Sequence, residues 1–266
     1  MTESKSPTAN ALRSANGEIE VSVHRESAGS PPVQNRRLTN NNNNRFIDDL
    51  SFEFHRLEGF QPACVTGKPV ALFGAPGREE ATGRGVIGVT VAALERRKKS
   101  AQGARVVIQG FGNVGRFAAL AAVEAGMKVI AISDVTGAIY QQDGIDFSDI
   151  DDKFTIASFK SKNEIDPAGI LSLEADVLIP AALGGVITDA VAATISAPLV
   201  IEAANQPVTA DGDATLRARG IEVVPDILAN AGGVLGSYFE WTQNIQEFRW
   251  PISRFRDELD ARMAGA

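Results

Sequence analysis

At residues 105–115 the chain reads RVVIQGFGNVG. The residues before the first glycine form a β-branched apolar run typical of a buried parallel strand. The residues after it begin an Ala-rich helix that is predicted over 113–125. In this setting Gly110 permits a tight turn, Gly112 lets the backbone approach a pyrophosphate, and Gly115 lets the helix pack close to the strand. The helix N-terminus then offers unpaired N–H groups and a partial positive charge to phosphates. The stretch therefore predicts a Rossmann-type dinucleotide-binding turn.

A carboxylate is the next feature expected of such a turn. About 20 residues further on, at the end of the second strand, an acid binds the adenine ribose hydroxyls. Asp134 occupies that position, directly after the predicted strand 128–133. It favours NAD because a carboxylate repels a 2′-phosphate, but Ser133 and Thr136 could hydrogen-bond that phosphate, so both NAD and NADP stay open. The alternative is a turn that serves the fold alone, with Asp134 as a turn-forming side chain.

The rest of the chain repeats the alternation of strand and helix. Short apolar runs at 175–179, 199–203 and 221–224 are separated by helical stretches at 188–195 and 213–219, and a further helix is predicted over 81–99. Strands that alternate with helices form crossover units and a parallel sheet. The predicted fold class is therefore α/β, with a Rossmann-like, doubly wound and mostly parallel sheet.

The N-terminal segment has a different composition. Residues 1–44 are rich in Ser, Asn, Pro and Arg, and only Ile19–Val23 alternates as a strand does. Such a segment buries too little apolar surface to offset its ordering entropy, so we predict a disordered leader. The predicted domains are the leader over 1–58, a dinucleotide-binding domain over 59–244 and a C-terminal helical segment over 245–266.

Composition limits the partners. The net charge of −7 argues against nucleic acid and against an anionic membrane surface. The basic run at 96–99 follows an apolar segment, as cations do at a helix C-terminus. A single cysteine, Cys64, excludes an internal disulfide and fits a reducing compartment. Neither a signal sequence nor a membrane-spanning apolar run is visible, so we expect a cytoplasmic protein.

Several further segments resemble one known family, the Glu/Leu/Phe/Val dehydrogenases. They are TGKP at 66–69, GREEATGRGV at 77–86, QGFGNVG at 109–115, LIPAA at 178–182, EAAN at 202–205, PDILANAGG at 225–233 and SYFEW at 237–241. The resemblance extends from Gly59 to Asp260 and is greatest to the cofactor-binding domain of glutamate dehydrogenase. The chain departs from the family at Phe73, where a glycine is usual, and at Ala203, where the family also has glycine.

The resemblance implies a role for each loop, with NAD or NADP as the cofactor. Gly110, Gly112, Asn113, Val114 and Gly115 would hold the phosphates, and Asp134 the adenine ribose. Arg78, Thr82 and Asn113 would lie near the nicotinamide carboxamide, Ala181, Ala182 and Asn205 on the nicotinamide-ribose side, and Asn230 at the nicotinamide end. Ser237 would contact the side-chain carboxylate of an amino-acid substrate. For Thr82 and Asn205 the alternative is that each merely caps a helix.

The resemblance also implies two catalytic motifs that residues 1–65 should be searched for. The family uses a catalytic lysine in a Gly-rich motif and an aspartate after a Pro-Ala-Pro stretch, both in an N-terminal substrate domain, and residues 1–65 contain neither motif. We therefore assign no catalytic residue and no metal ligand. We expect a glutamate-dehydrogenase-type oxidoreductase with little turnover as a chain alone.

Two alternatives remain open from the sequence. One is a non-catalytic nucleotide-binding or interaction module, and the other is a fragment of a Leu, Phe or Val dehydrogenase. Because family members assemble mainly through the substrate domain, the chain could form a homo-oligomer or associate with an intact paralogue.

Overall fold

The computed structural model describes residues 59–148, 155–159 and 163–266, together with His55 and three strands nearer the N-terminus. The chain divides into two compact units, Met1–Phe73 and Gly74–Ala266. In the first unit, β1 (Thr8–Arg13), β2 (Ile19–His24) and β3 (Arg36–Leu38) form an antiparallel sheet in the order β1-β2-β3. Strand β2 coincides with the predicted alternation. The predicted disorder of the leader and the predicted domain limits stay predictions.

The first unit also contains short 3-10 helices at Pro62–Cys64 and Val70–Leu72. Phe73 has a φ of 69°, in the left-handed region that favours glycine, and its ring packs edge-on against Phe60. The backbone at this position therefore has the conformation that suits the glycine usual in the family.

The second unit alternates helices and strands. In chain order its elements are α1 (Ala81–Arg96), β4 (Arg105–Gln109), α2 (Asn113–Glu124), β5 (Lys128–Asp134), β6 (Gly137–Tyr140), β7 (Glu164–Ile165), β8 (Val177–Pro180), α3 (Asp189–Ala192), β9 (Leu199–Ile201), α4 (Ala210–Ala218), β10 (Glu222–Val224), α5 (Asp226–Ala229), α6 (Gly232–Ile245) and α7 (Ile252–Ala264). Two 3-10 helices, Ile156–Ser158 and Pro167–Ser172, lie between β6 and β8.

These strands form one sheet in the order β10-β9-β8-β4-β5-β6-β7. The five strands from β10 to β5 are parallel, and β6 and β7 are added antiparallel at the edge. The predicted α/β fold with a mostly parallel sheet is confirmed, and the antiparallel edge is a feature that was not predicted. The chain runs from β4 outward to β7 and returns to β8 on the other side of β4. The strand order therefore reverses between β4 and β8, where open α/β sheets bind ligands at the carboxyl ends of their strands.

Both faces of the sheet are covered. Val106 and Ile108 of β4 point into one apolar cluster, which also contains residues of α1, α2, α6 and α7, whereas Val107 points into a second cluster with Ile130 and Leu178. Neighbouring residues of a strand face opposite sides of its sheet, so a strand buried on both sides needs a continuous apolar run. Burial on both faces is the physical reason for the β-branched residues before Gly110.

Helix ends were less predictable than helix positions. Helix α4 begins at Ala210, three residues before the predicted start at 213, because Thr209 accepts a hydrogen bond from the N–H of Gly212 at 3.1 Å and caps the helix there. Helix α7 packs on α1 and α6 through buried Phe255, Leu259 and Met263.

Within the described residues, no helix combines the length and the apolar character needed to cross a bilayer.

Candidate dinucleotide site

The turn after β4 is closely packed at its first and last glycines. Gly110 has a φ of 99°, its N–H donates to the Ser133 carbonyl at 2.9 Å, and a Cβ there would lie 2.8 Å from the Cα of Ala182. A Cβ at Gly115 would overlap the carbonyl oxygen of Gly110. At Gly112, by contrast, a Cβ would have no described atom within 4 Å. The first residues of α2 thus face open space, with N–H groups that the helix itself does not use.

The loop after β8 lies directly beside this turn. The N–H of Ala181 donates to the Gln109 carbonyl at 2.7 Å, and Ala182 is exposed next to Gly110. Val114 is half-buried and packs against the core, so its side chain anchors the start of α2. The predicted phosphate-loop residues and the predicted alanine pair therefore lie together at the point where the strand order reverses.

Asn113 connects the phosphate loop to the segment that precedes α1. Its side-chain amide donates to the Glu79 carbonyl at 3.0 Å. One turn along α2, the Arg116 guanidinium lies 3.8 Å from the Glu79 carboxylate. The loop that carries Arg78 is thereby held against the start of α2.

Arg78 and Ser237 form a pair although they are 159 positions apart in sequence. The Nε of Arg78 donates to the Ser237 hydroxyl at 2.9 Å. Burial lowers the pKa of Arg78, and the charge of Glu240 acts in the opposite direction. A half-buried guanidinium is thus held beside the residue that the resemblance places at the substrate carboxylate.

Glycines explain how α1 and α6 come close enough for this pair to form. A Cβ at Gly232 would overlap the Ala81 carbonyl, and a Cβ at Gly85 would lie 3.0 Å from the Cα of Gly232. A Cβ at Gly233 would overlap the hydroxyl of Thr82, so Thr82 lies directly against the start of α6. The structure places Thr82 in the first turn of α1, and no capping hydrogen bond from it is among the described contacts.

Asn205 and Asn230 form another pair, between the loop after β9 and the end of α5. The Asn230 amide donates to the Asn205 side-chain oxygen at 2.9 Å and to the Ala203 carbonyl at 3.4 Å. Both side chains lie at the carboxyl edge of the sheet. A polar pocket of about 520 Å³ opens beside Asn205.

Glu202 lies on the wall of that pocket. Its carboxylate is buried and accepts the N–H of Asp226 at 2.9 Å. Burial raises the pKa of Glu202, and the backbone hydrogen bond from Asp226 opposes that shift. The lining residues are Gly184, Gly185, Glu202, Asn205, Gln206, Val208, Thr209, Ala210 and Asp226.

Asp134 makes the contacts of a turn-forming side chain. One carboxylate oxygen accepts both the N–H and the hydroxyl of Thr136 at 2.6 Å, and the other accepts the N–H of Ile156 at 2.9 Å. The second oxygen has a further acceptor position on which a ribose hydroxyl could bond. Ser133 is buried, and Thr136 is exposed with its hydroxyl donating to Asp134.

Sequence reasoning missed Glu240 and Gly236. Glu240 is a buried carboxylate on α6, and a Cβ at Gly236 would lie 3.1 Å from the Cδ of Arg78. A single acid inside an otherwise apolar helical stretch, FEW at 239–241, was the signal that could have indicated it. Among the described residues, no cluster of three or more His, Cys, Asp or Glu side chains could hold a metal ion.

The fold and the placement of these loops define the class of the protein as a Rossmann-like, doubly wound α/β domain with its polar loops at the carboxyl edge of the sheet. Beyond that class, the chain belongs to the Glutamate/Leucine/Phenylalanine/Valine dehydrogenase family, whose sequence profile matches residues 74–266. The resemblance drawn from the motifs is confirmed.

Individual relatives agree with this assignment. Glutamate dehydrogenase of Thermotoga maritima is 46% identical over 207 residues, which make up 76% of this chain and 50% of that protein. The solved hetero-hexameric glutamate dehydrogenase from Thermus thermophilus, in its Leu-bound form, is 36% identical, with a TM-score of 0.75 over 82% of this chain and 52% of that one. Glutamate dehydrogenase from Peptoniphilus asaccharolyticus is 38% identical, with a TM-score of 0.69 over 84% of this chain and 54% of that one. The chain spans about half the length of these relatives.

Proposed function

We propose that this chain supplies the dinucleotide-binding part of a glutamate-dehydrogenase-type oxidoreductase. The reaction is the NAD- or NADP-dependent oxidative deamination of an amino acid to a 2-oxo acid and ammonia. The observation that carries the proposal is the open space at Gly112, at the start of α2 and at the reversal of strand order. Backbone N–H groups at a helix N-terminus form an anion site, and a diphosphate is the anion that fits this turn.

With the diphosphate at the start of α2, the other predicted residues can be assigned to the remaining parts of the dinucleotide. Asp134 would bind the adenine ribose through the oxygen that already accepts Ile156, which favours NAD over NADP. Asn205 would contact the nicotinamide ribose and Asn230 would position the nicotinamide end, since their paired carboxamides still offer both donors and acceptors. Arg78 and Thr82 would lie at the carboxamide.

The chemistry that a bound dinucleotide would supply is hydride transfer between its nicotinamide and the α-carbon of the substrate. This chain's part is then to orient the ring and to exclude water, while Ser237, held by Arg78, faces the substrate side chain. Glutamate is the proposed substrate, because the relatives described above are glutamate dehydrogenases. Dehydrogenases for leucine, phenylalanine or valine are the alternatives within the family.

A second candidate function is a module that binds the dinucleotide without turnover. The chemistry of the proposed residues favours it, because amides, hydroxyls and a guanidinium are not effective general acids or bases near neutral pH. Asp134, the one carboxylate among them, is engaged in its turn. In this function the chain would act together with an intact paralogue or with a second copy.

Calorimetric titration with NAD, NADP and their reduced forms tests both candidates. We expect binding of at least one form, abolished by Gly112→Trp, because the indole would fill the space in front of α2. Gly169→Trp is the matched control, since a Cβ there also has no described atom within 4 Å and lies in the 3-10 helix at Pro167–Ser172. Equal affinity in wild type and Gly112→Trp would refute the site, and binding without glutamate-dependent reduction of the dinucleotide would favour the second candidate.

A further inference from the structure

We propose that Glu240 is a positioning residue that holds the Arg78 guanidinium at the candidate site. Its carboxylate would act on the dinucleotide or substrate only through Arg78. The expected effect of Glu240 on ligand binding rests on the proposed function. The arrangement of Arg78 and Glu240 itself can be tested without any ligand.

Helical spacing places the anchors of Arg78 on one face of α6. Gly236 and Glu240 are four residues apart, and Ser237 and Glu240 are three apart, so all three lie along the same side of the helix. Helical side chains lean toward the N-terminus, so the Glu240 side chain extends back over the turn that contains Gly236.

Arg78 lies in the slot left by Gly236. A Cβ at Gly236 would be 3.1 Å from the Cδ of Arg78 and 3.2 Å from the ring of Phe255, so the stem of Arg78 passes directly over the bare backbone of α6. The Nε bonds to Ser237 at 2.9 Å. The start of the guanidinium is therefore held on the face of α6 that carries Ser237 and Glu240.

Charge gives the second line of support. Glu240 is 0% exposed, and a buried carboxylate must be compensated by a cation or by hydrogen bonds. The charge of Glu240 raises the pKa of Arg78 against the effect of burial, so the two groups are close enough to interact. The neighbouring cation of α7, Arg256, pairs instead with Glu80, at 2.7 Å between its Nη2 and Oε2.

The arrangement gives Arg78 a fixed direction. Ser237 binds one edge of the guanidinium and Glu240 attracts it from one turn further along α6, so both anchors are set by a rigid helix. A preorganised guanidinium loses less freedom when a ligand arrives. Removing the carboxylate should leave Arg78 in the site but no longer oriented.

The first experiment observes Arg78 in the absence of ligand. In a 15N–1H spectrum of the full chain, the Nε–H resonance of Arg78 is assigned by its loss in Arg78→Lys, and its exchange with water is measured. Glu240→Gln should accelerate that exchange at least tenfold, whereas Glu240→Asp should have a smaller effect. Gln243→Met is the control, because Gln243 is also buried on α6 but bonds to Phe239 and Trp250. Unchanged exchange in Glu240→Gln would overturn the proposal.

The second experiment tests whether Glu240 acts through Arg78. Dissociation constants for the tightest-binding dinucleotide are measured in wild type, Glu240→Gln, Arg78→Met and the double variant, with melting temperatures recorded for each. We expect Glu240→Gln to weaken binding roughly tenfold in wild type and to have no further effect beside Arg78→Met. An equal loss in both backgrounds would mean that Glu240 serves the fold alone. If wild type binds no dinucleotide, the proposed function fails while the exchange measurement still decides the position of Arg78.

Discussion

Replacement of Gly110 by alanine gives a prediction whose size follows from the structure. Two costs add at this position. The φ of 99° lies in a region that side chains disfavour, at about 1–3 kcal/mol for a strained non-glycine residue. The new Cβ would also lie 2.8 Å from the backbone carbon of Ala181 and from the Cα and Cβ of Ala182, and overpacking typically costs a further ~1–3 kcal/mol. Because two of these three atoms belong to the backbone between β8 and the following loop, we expect the upper part of that range.

Gly220→Ala isolates the conformational cost. Gly220 has a φ of 70°, and a Cβ there has no described neighbour within 4 Å, so its substitution carries the strain without the overpacking. For a unit of this size each kcal/mol lowers the melting temperature by roughly 2–4 °C. We expect Gly110→Ala to melt about 4–12 °C below Gly220→Ala when both are followed by circular dichroism. Equal melting temperatures for the two variants would refute the packing of the β4 turn against the β8 loop.

Two further predictions concern the neighbouring loops. Burial raises the pKa of Glu202 above its unfolded value, so between the two values the folded state holds the proton more tightly and stability falls as pH rises. As the pH rises above about 4.3, the ordinary pKa of a glutamate, the melting temperature of wild type should therefore fall relative to that of Glu202→Gln, and a constant difference would contradict the burial of this carboxylate. Asn230→Ala removes the bond to Asn205 at 2.9 Å, and we expect about tenfold weaker dinucleotide binding with little change in melting temperature. Unchanged affinity by calorimetry would exclude the asparagine pair from the site.

The parts of the fold that could be predicted are those with a local cause. The strand before Gly110 is buried on both faces, which requires an unbroken apolar run, and its turn requires glycines at fixed spacing. Both requirements are visible within eleven letters. Strand β7 has only two residues, Glu164–Ile165, and no periodicity can be read from so short a segment. The antiparallel edge of the sheet therefore had no sequence signal of its own.

The candidate site was predictable in its residues but not in its contacts. The resemblance supplied Arg78, Ser237, Asn205 and Asn230 one at a time. The pairing of Arg78 with Ser237 depends on how closely α1 and α6 cross, and that distance is set by Gly85 and Gly232, which are far apart in sequence. The role proposed for Glu240 depends on this crossing, because it brings Arg78 to α6 beside Gly236 and Ser237. Long-range packing, and not local propensity, thus determines which polar groups of the site meet.

Of the three glycines in the turn after β4, Gly112 is the one that the fold itself does not require. Gly110 is required by its φ and its contact with Ala182, and Gly115 by the carbonyl that lies against its Cα. Gly112 has a φ of −75° and a ψ of −163°, which any residue adopts, and a side chain there would meet no described atom within 4 Å. It also holds the N-cap position of α2, where Ser, Asp or Asn would stabilise the helix better than glycine does. A bare backbone has a physical use at this position when another group must closely approach the helix N-terminus. That use is the strongest physical support for a dinucleotide in the proposed function.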